Sequence, residues 1–328
     1  MVIVNTFFIK RSNGLFHYGM DYAEALGSQV REVWARTDAT AEAASRRLPG
    51  RRVVRVSPLQ LPWRLRAAAR NGELVFTPSS HPLGLGARTV VVVHDCFPFQ
   101  GKVGRIKKHL VRAGLRDPRI SAAYVNRAEA LAFLEDLGAL AERMHYLPNK
   151  VGQLAAPRRQ PRMVGPAPRI GLFGSDSEKK NYASLFAAAS RAHLGISPVW
   201  TIYGHKNAYT QSLQAHFGGC RIEVVDSDRC GIDEFVESLD LAVSPAIGEG
   251  FARPVALALQ HGVPTFLLDC PVFREFYAGS AQLFGDIEEL IGAIAALTPD
   301  TTLAPSRLAS EQDLSAAFAD GVAWLSSL

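Results

Sequence analysis

The feature that most limits what this chain can become is a repeated alternation of short β-branched runs with helical stretches, interrupted once by a proline-rich segment. Val2 to Phe8, Leu74-Val75-Phe76 and Thr89-Val90-Val91-Val92-Val93 read as strands of the first half, and Asp21 to Leu26 lies on its first helix. Four consecutive valines are expected where a strand is buried on both faces, as in a parallel sheet covered by crossover helices. From Leu154 to Pro168 the chain carries four prolines, which exclude a continuous helix or a central strand and mark a linker. The alternation then resumes, with strands expected at Arg169 to Phe173, Val199 to Tyr203, Arg221 to Val225, Leu239 to Ser244 and Thr265 to Leu268. The pattern predicts an α/β chain of two doubly wound, Rossmann-like domains, residues 1–153 and 169–310, joined by the 154–168 linker. The final helical stretch, 311–328, either caps the second domain or returns across the linker to the first. Two such domains place a cleft between the carboxyl edges of their sheets, where open α/β sheets bind ligands.

Composition supports this and removes other classes. The 328 residues are 48% hydrophobic and 20% charged, enough to bury two cores and too apolar for a disordered chain. No run approaches the ~18 apolar residues of a membrane span. The start, Met1 to Ile9, lacks a basic region and a small-residue cleavage site, so a cytoplasmic location is expected. Cys96, Cys220, Cys230 and Cys270 are widely spaced and indicate neither a disulfide framework nor a zinc site. The net charge of +5 is uneven, because residues 1–150 hold 23 of the 36 Lys+Arg against 12 of the 31 Asp+Glu. Lys102, Arg105, Lys107, Lys108, Arg112, Arg116 and Arg119 crowd one segment with His109. Such a cluster suits an anionic surface, whether phospholipid headgroups, a lipid diphosphate or nucleic acid. Peripheral attachment to the inner face of a membrane is expected, and nucleic acid is not.

One segment carries chemistry at a recognisable spacing. A strand ends near Ser244, a helix can begin at Pro254, and Gly262 is placed to end it. Glu249, Gly250, Phe251 and Ala252 therefore sit between a strand's carboxyl end and a helix amino end. There backbone amides and the helix dipole favour a phosphate, while a carboxylate accepts hydrogen bonds from hydroxyls. The same local pattern also serves a carboxylate that only caps its helix. Upstream, Gly171 to Asn181 runs from a buried strand through Gly174 and Ser175 to Lys179-Lys180 and a helix that Asn181 could cap. A lysine there can neutralise a diphosphate leaving group, and two lysines at a helix start oppose the dipole unless an anion is near.

These two segments resemble the donor site of GT-B glycosyltransferases of family 4, in which Glu-Gly-Phe-Gly, a proline, a second Glu and a later Gly-x-Pro recur at this spacing. Leu239 to Pro245 and Asp269 to Phe284, with Glu275, Gly279 and Ala281, are similar to the flanking family segments, so the likeness spans most of residues 169–297. It implies that Glu249 contacts hydroxyls of a nucleotide sugar, that Gly250, Phe251 and Ala252 lie beside sugar and diphosphate, and that Lys180 binds phosphate. Two positions depart from the family. Ala252 replaces its usual Gly, and Leu257 replaces the second Glu that usually holds the ribose.

The amino-terminal half is similar to the family at fewer points. Asn13-Gly14-Leu15 matches a glycine-containing loop, His94-Asp95 matches a pair facing the acceptor side, and Pro148-Asn149 matches an interdomain pair. A histidine at a strand end also serves purely structural roles. The resemblance implies a retaining hexosyltransferase that needs no metal or other cofactor and serves polysaccharide or lipopolysaccharide biosynthesis. Its expected catalytic residues are Glu249, Lys180 and His94, and its acceptor is a polysaccharide or a lipid-linked saccharide. Asp226-Ser227-Asp228 imitates the metal-binding Asp-x-Asp of other transferases, but such pairs arise by chance, and no metal role is assigned. A sugar-nucleotide epimerase on the same fold and a catalytically silent sugar-nucleotide-binding subunit are the alternatives, the latter suggested by Leu257.

Overall fold

The computed structural model describes residues 1–152, 161–175 and 178–328. They form two compact units, Met1–Lys150 with Asp313–Leu328, and Val151–Gln312. Residues 154–160 of the expected linker, and Asp176-Ser177 of the lysine loop, lie outside the described residues, while residues 161–168 belong to the second unit and include a short strand, Arg162–Met163.

The first unit runs β1 (Val2–Asn5), α1 (Gly14–Leu26), β2 (Val30–Ala35), α2 (Asp38–Arg47), β3 (Arg52–Arg55), α3 (Leu61–Arg70), β4 (Leu74–Thr77), β5 (Arg88–Val93), α4 (Gly101–Leu115), β6 (Ile120–Tyr124), α5 (Ala132–Asp136) and β7 (Met144–Tyr146). Its parallel sheet has the order β3-β2-β1-β4-β5-β6-β7, so the winding reverses between β1 and β4. The first strand is shorter than expected. Thr6 O accepts from Ile9 N at 2.9 Å and Asn5 Oδ1 accepts from Phe7 N at 3.3 Å, which turns the chain out of the sheet.

Alternation along the strands sorts the two faces of this sheet. Val2, Val4, Phe76, Val90 and Val92 pack beneath α1. Ile3 pairs with Val75 and Thr77 with Val91, so these residues point to the other face. There Ile3 and Val75 pack on Leu61 and Leu65 of α3, while Val91 and Val93 pack on Val111 and Leu115 of α4. Helices α3 and α4 therefore cover the same face.

The second unit runs β8 (Arg162–Met163), β9 (Arg169–Phe173), α6 (Tyr182–Arg191), β10 (Val199–Tyr203), α7 (Ala208–His216), β11 (Arg221–Val225), α8 (Ile232–Glu237), β12 (Leu241–Ser244), α9 (Arg253–Gln260), β13 (Thr265–Leu268), α10 (Pro271–Tyr277), β14 (Gln282–Phe284), α11 (Ile287–Ala295) and β15 (Thr302–Leu303). Its parallel sheet is ordered β11-β10-β9-β12-β13-β14, with the reversal between β9 and β12, and β8 pairs with β15 separately. The strand expected from Leu239 begins at Leu241, because Leu239 N still donates to Val236 O at 3.2 Å and closes the preceding helix.

The last helix, α12 (Glu311–Ser327), packs on the first unit. Phe318 and Leu325 join the cluster beneath α1, and Trp324 stacks on His145 with centroids 4.3 Å apart. Gly321 permits this approach, since a Cβ there would lie 2.7 Å from Leu147 Cδ2.

Candidate functional site

In the second unit the loops after β9 and β12 leave adjacent strands at the point of reversal, where a doubly wound sheet opens a crevice. Gly174 turns the chain away from β9 with φ +89°, a conformation that favours glycine. Ser175 behind it is buried and lies against Gly204, where a Cβ would come 2.4 Å from Ser175 Oγ. The chain then makes one short turn, Glu178–Lys180. Asn181 occupies the cap position of α6 but corrects the expectation placed on it. Its backbone is left-handed at φ 57°, and its side chain makes no capping hydrogen bond.

The loop after β12 returns to this turn, with Ile247 N donating to Lys179 O at 3.3 Å. Lys180 Nζ donates to Glu249 Oε1 at 2.7 Å, and the two side chains are 16% and 8% exposed. Phe251 is buried against Phe276 and Tyr277, whose ring centroids lie 4.8 and 5.9 Å away. The Tyr277 hydroxyl donates to Phe251 O and lies 3.3 Å from Ala252 O. Burial, with the Glu249 carboxylate adding to it, holds the Tyr277 pKa well above the ordinary tyrosine value, so this hydroxyl stays a donor at neutral pH. Ala252 is left-handed at φ 58°, ψ 61°, which gives a physical reason for glycine at this position in the family. Helix α9 starts immediately after it with Arg253 and Pro254. Leu257 lies half-buried on the second turn of that helix.

The expected donor residues Gly174, Ser175, Lys180, Glu249, Gly250, Phe251 and Ala252 thus gather on two loops at one sheet edge. Sequence reasoning passed over Tyr277, which props the motif from behind, and Arg253, a second cation at the amino end of α9. Tyr277 lies within the flanking Asp269 to Phe284 segment, but only the fold shows its hydroxyl beneath the loop.

The residues expected on an acceptor side belong to the first unit. Asn13 Oδ1 caps α1, accepting from Phe16 N at 3.2 Å, and Gly14 is the first residue of that helix. His94, just beyond β5, stands edge-on to Tyr18 at 4.5 Å, and its carbonyl accepts from Asn126 Nδ2 at 3.0 Å. Asp95 Oδ1 accepts from Phe97 N at 3.1 Å. His94 and Asp95 line a cavity of about 450 Å³ above β1, β4 and β5, bounded also by Phe8, Leu83, Lys107 and Leu110. His81 stacks flat on Phe8 at 4.2 Å and shares a 3.1 Å hydrogen bond with Ser79 Oγ. Burial of part of its ring, reinforced by Lys107, lowers the His81 pKa, so the ring is neutral at pH 7. Phe8 and His81 were not anticipated, and Lys107 was read only as part of the basic segment; the Ser79-Ser80-His81 run after a strand was the available signal.

Asp226 and Asp228 lie elsewhere in the second unit, grouped with a residue the sequence did not connect to them. His205 Nδ1 is 3.5 Å from Asp226 Oδ1 and 3.7 Å from Asp228 Oδ2; His205 and Asp228 are exposed and Asp226 is half-buried. Asp228 N donates to Asp226 Oδ1 at 3.0 Å, which holds the Asp226 pKa low and accounts for one carboxylate as part of a turn.

No protein-family model matches the chain, and no curated protein matches it. Solved structures do. HepE from Anabaena, crystallised with UDP and glucose, is 16% identical with a TM-score of 0.71, over 100% of this chain and 99% of that one. WaaG, a glycosyltransferase involved in lipopolysaccharide biosynthesis, is 15% identical with a TM-score of 0.67, over 100% and 95%. WaaB, a lipopolysaccharide outer core galactosyltransferase, is 12% identical with a TM-score of 0.65, over 100% and 99%. The chain has their GT-B fold of two Rossmann-like domains.

Proposed function

We propose that the protein is a glycosyltransferase that moves a hexose from a nucleotide diphosphate sugar to a hydroxyl of a saccharide or lipid-linked saccharide acceptor, with retention and without a metal. The observation that carries this reading is the Lys180–Glu249 pair at the reversal point of the second sheet, beside the amino end of α9. A lysine and a helix dipole stabilise negative charge on a leaving diphosphate, which is where charge develops as the sugar bond breaks. Glu249 supplies acceptor oxygens for sugar hydroxyls and orients the ring. His94 lines the acceptor cavity, where its imidazole can bond a sugar hydroxyl. The neighbours crystallised with UDP or acting on lipopolysaccharide support a nucleotide-sugar donor and a saccharide acceptor.

The first unit is read as docking on an anionic membrane. Residues 57–116 hold ten Lys+Arg against two carboxylates, Glu73 and Asp95. On α4 the exposed Val103, Ile106 and Leu110 form an apolar ridge among Lys102, Arg105, Lys107 and Lys108. Leu59 and Trp63, 84% and 70% exposed, project from the α3 region on the same sheet face. Apolar tips ringed by cations suit the headgroup boundary. Among the described residues no helix is long and apolar enough to cross a membrane.

Incubation of the purified protein with a panel of nucleotide sugars and acceptors, followed by product analysis, tests the reading. A new glycosidic bond of unchanged anomeric configuration, insensitive to chelator, is expected. An altered nucleotide sugar without transfer would indicate the epimerase, and binding without turnover the silent subunit.

A further inference from the structure

We propose that the first unit binds a soluble compound bearing a phosphate or diphosphate, in a pocket between α4 and α5 at the amino edge of its sheet, opposite the strand ends that carry His94 and Asp95. A cavity of about 470 Å³ lies there, a volume within the range of small-molecule sites. Arg112 and Arg116 reach it from the end of α4, Asp136 from the end of α5, and Arg143 from the residue before β7, with buried Leu115 and Leu137 beside them.

Charge decides the class of ligand. Three guanidiniums converge on one cavity, and a guanidinium stays protonated in a protein. Lys108, Arg112 and Arg116 follow one another at intervals of four along α4, a spacing at which like charges destabilise a helix. Lys108 is neutralised, because its ammonium donates to the Asp136 carboxylate. That bond and charge hold the Asp136 carboxyl below the usual carboxylate range, so its own charge is already matched. Asp136 is the only carboxylate among the described residues that line the cavity, and the Arg116 side chain makes no hydrogen bond or ion pair with a described residue. Part of this charge has a structural use. Arg112 Nη2 donates to Asp136 O at 3.0 Å and Arg143 Nη1 to Asp117 O at 2.9 Å, which ties them to the end of α5 and to the turn after α4. A helix end carries about half a negative charge, so three full cations exceed what two helix ends can offset. Each carbonyl bond uses one of a guanidinium's five N–H groups and fixes the rest beside the cavity. Planar N–H pairs of this kind match phosphate oxygens in twos.

The helix also separates this pocket from the proposed membrane face. At about 100° per residue, the buried row of Val111 and Leu115 lies between the flank of Arg112 and Arg116 and the flank of Val103, Ile106 and Leu110. A bilayer meeting the apolar ridge therefore touches the other side of α4, which leaves the arginine pocket to a ligand from solution.

Calorimetric titration of the full chain with inorganic pyrophosphate at fixed ionic strength tests this. Two classes of site are expected, one weakened by Lys180→Ala at the proposed donor site and the other abolished by Arg116→Glu. Arg116→Gln should weaken the second class roughly tenfold by removing a charge-assisted bond. Arg143→Lys should weaken it less than Arg143→Gln, since lysine keeps the charge without the fork. Arg116 is exposed, so the melting temperature of its unliganded variants should stay unchanged. Arg105→Gln and Arg119→Gln, in the same basic segment but outside the lining, should change neither class. Pyrophosphate binding that is untouched by Arg116→Glu, or that falls equally with Arg119→Gln, would overturn the site. Vesicles of phosphatidic acid should not displace pyrophosphate from it. Displacement beyond that given by phosphatidylserine vesicles of equal charge would identify a lipid headgroup and overturn the soluble ligand. Sugar transfer is read separately, so an Arg116-dependent site in a protein without turnover refutes the transferase reading and leaves this inference standing.

Discussion

Lys180 and Glu249, sixty-nine residues apart in the chain, meet at 2.7 Å with both side chains largely withdrawn from solvent. A lysine and a carboxylate so placed hold each other in position, and under the proposed function each would exchange part of that bond for the donor. Lys180→Ala and Glu249→Ala are each expected to lower turnover by roughly ten- to a thousand-fold with the fold intact by circular dichroism. The double variant should lose less than the sum of the singles in a double-mutant cycle of activity, with a coupling of about 0.5–3 kcal/mol. Near-normal rates in both singles would remove the site assignment.

Ala252 is left-handed, which costs an L-residue about 1–2 kcal/mol relative to the right-handed helix region. Ala252→Gly should therefore raise stability by about 1 kcal/mol, read as a higher urea midpoint at unchanged slope. Tyr277→Phe should act in the opposite direction. It removes a buried hydroxyl from Phe251 O and Ala252 O, at about 1–3 kcal/mol, and its activity loss should exceed that of a distant variant of equal stability because the donor loop loses its support.

In the proposed donor site, Leu257 takes the place that the family resemblance gives to a ribose-binding carboxylate. A site without that acceptor leaves a desolvated 2′-hydroxyl poorly paired, at roughly 1–3 kcal/mol, and a deoxyribose has no such group. Turnover of a deoxythymidine diphosphate sugar, such as a rhamnose donor, should exceed that of the matched uridine donor. Leu257→Glu should shift the ratio toward the ribonucleotide. Because Leu257 is only half-buried, the fold should tolerate the change. A clear uridine preference in the unaltered protein would count against the idea.

The α3 and α4 face should bring the protein down with anionic vesicles and leave it in solution with neutral ones. Each basic residue near such a surface contributes about 1 kcal/mol, screened by salt, so the bound fraction should fall as ionic strength rises. Ile106→Glu and Trp63→Ala should each reduce co-sedimentation, and together more than either alone. Retention of Trp63→Ala at the unaltered level would confine the surface to α4.

Much of the architecture was written in local pattern. Four valines in a row require cover on both faces of a strand, and Thr265 to Leu268 lacks any polar alternation, so both read directly as parallel-sheet strands. Edge strands were harder to read. Arg52-Val53-Val54-Arg55 and Gln282-Leu283-Phe284 are short and only partly buried, and their pairing with a neighbour, rather than their own composition, makes them strands.

The site divides along the same line. Glycine and proline placement around residues 249–254 announced a strand end, a tight turn and a helix start, because those residues act through their own backbone. The salt bridge between Lys180 and Glu249, the Tyr277 hydroxyl under Phe251 and the cavity bounded by Phe8, Lys107 and Leu110 join residues brought together only by sheet order. Sequence alone determined which segments turn and which are buried, since backbone freedom and hydrophobicity are properties of single residues. The tertiary structure decided which side chains meet, because a parallel sheet places in contact strands that the chain separates by whole crossover helices.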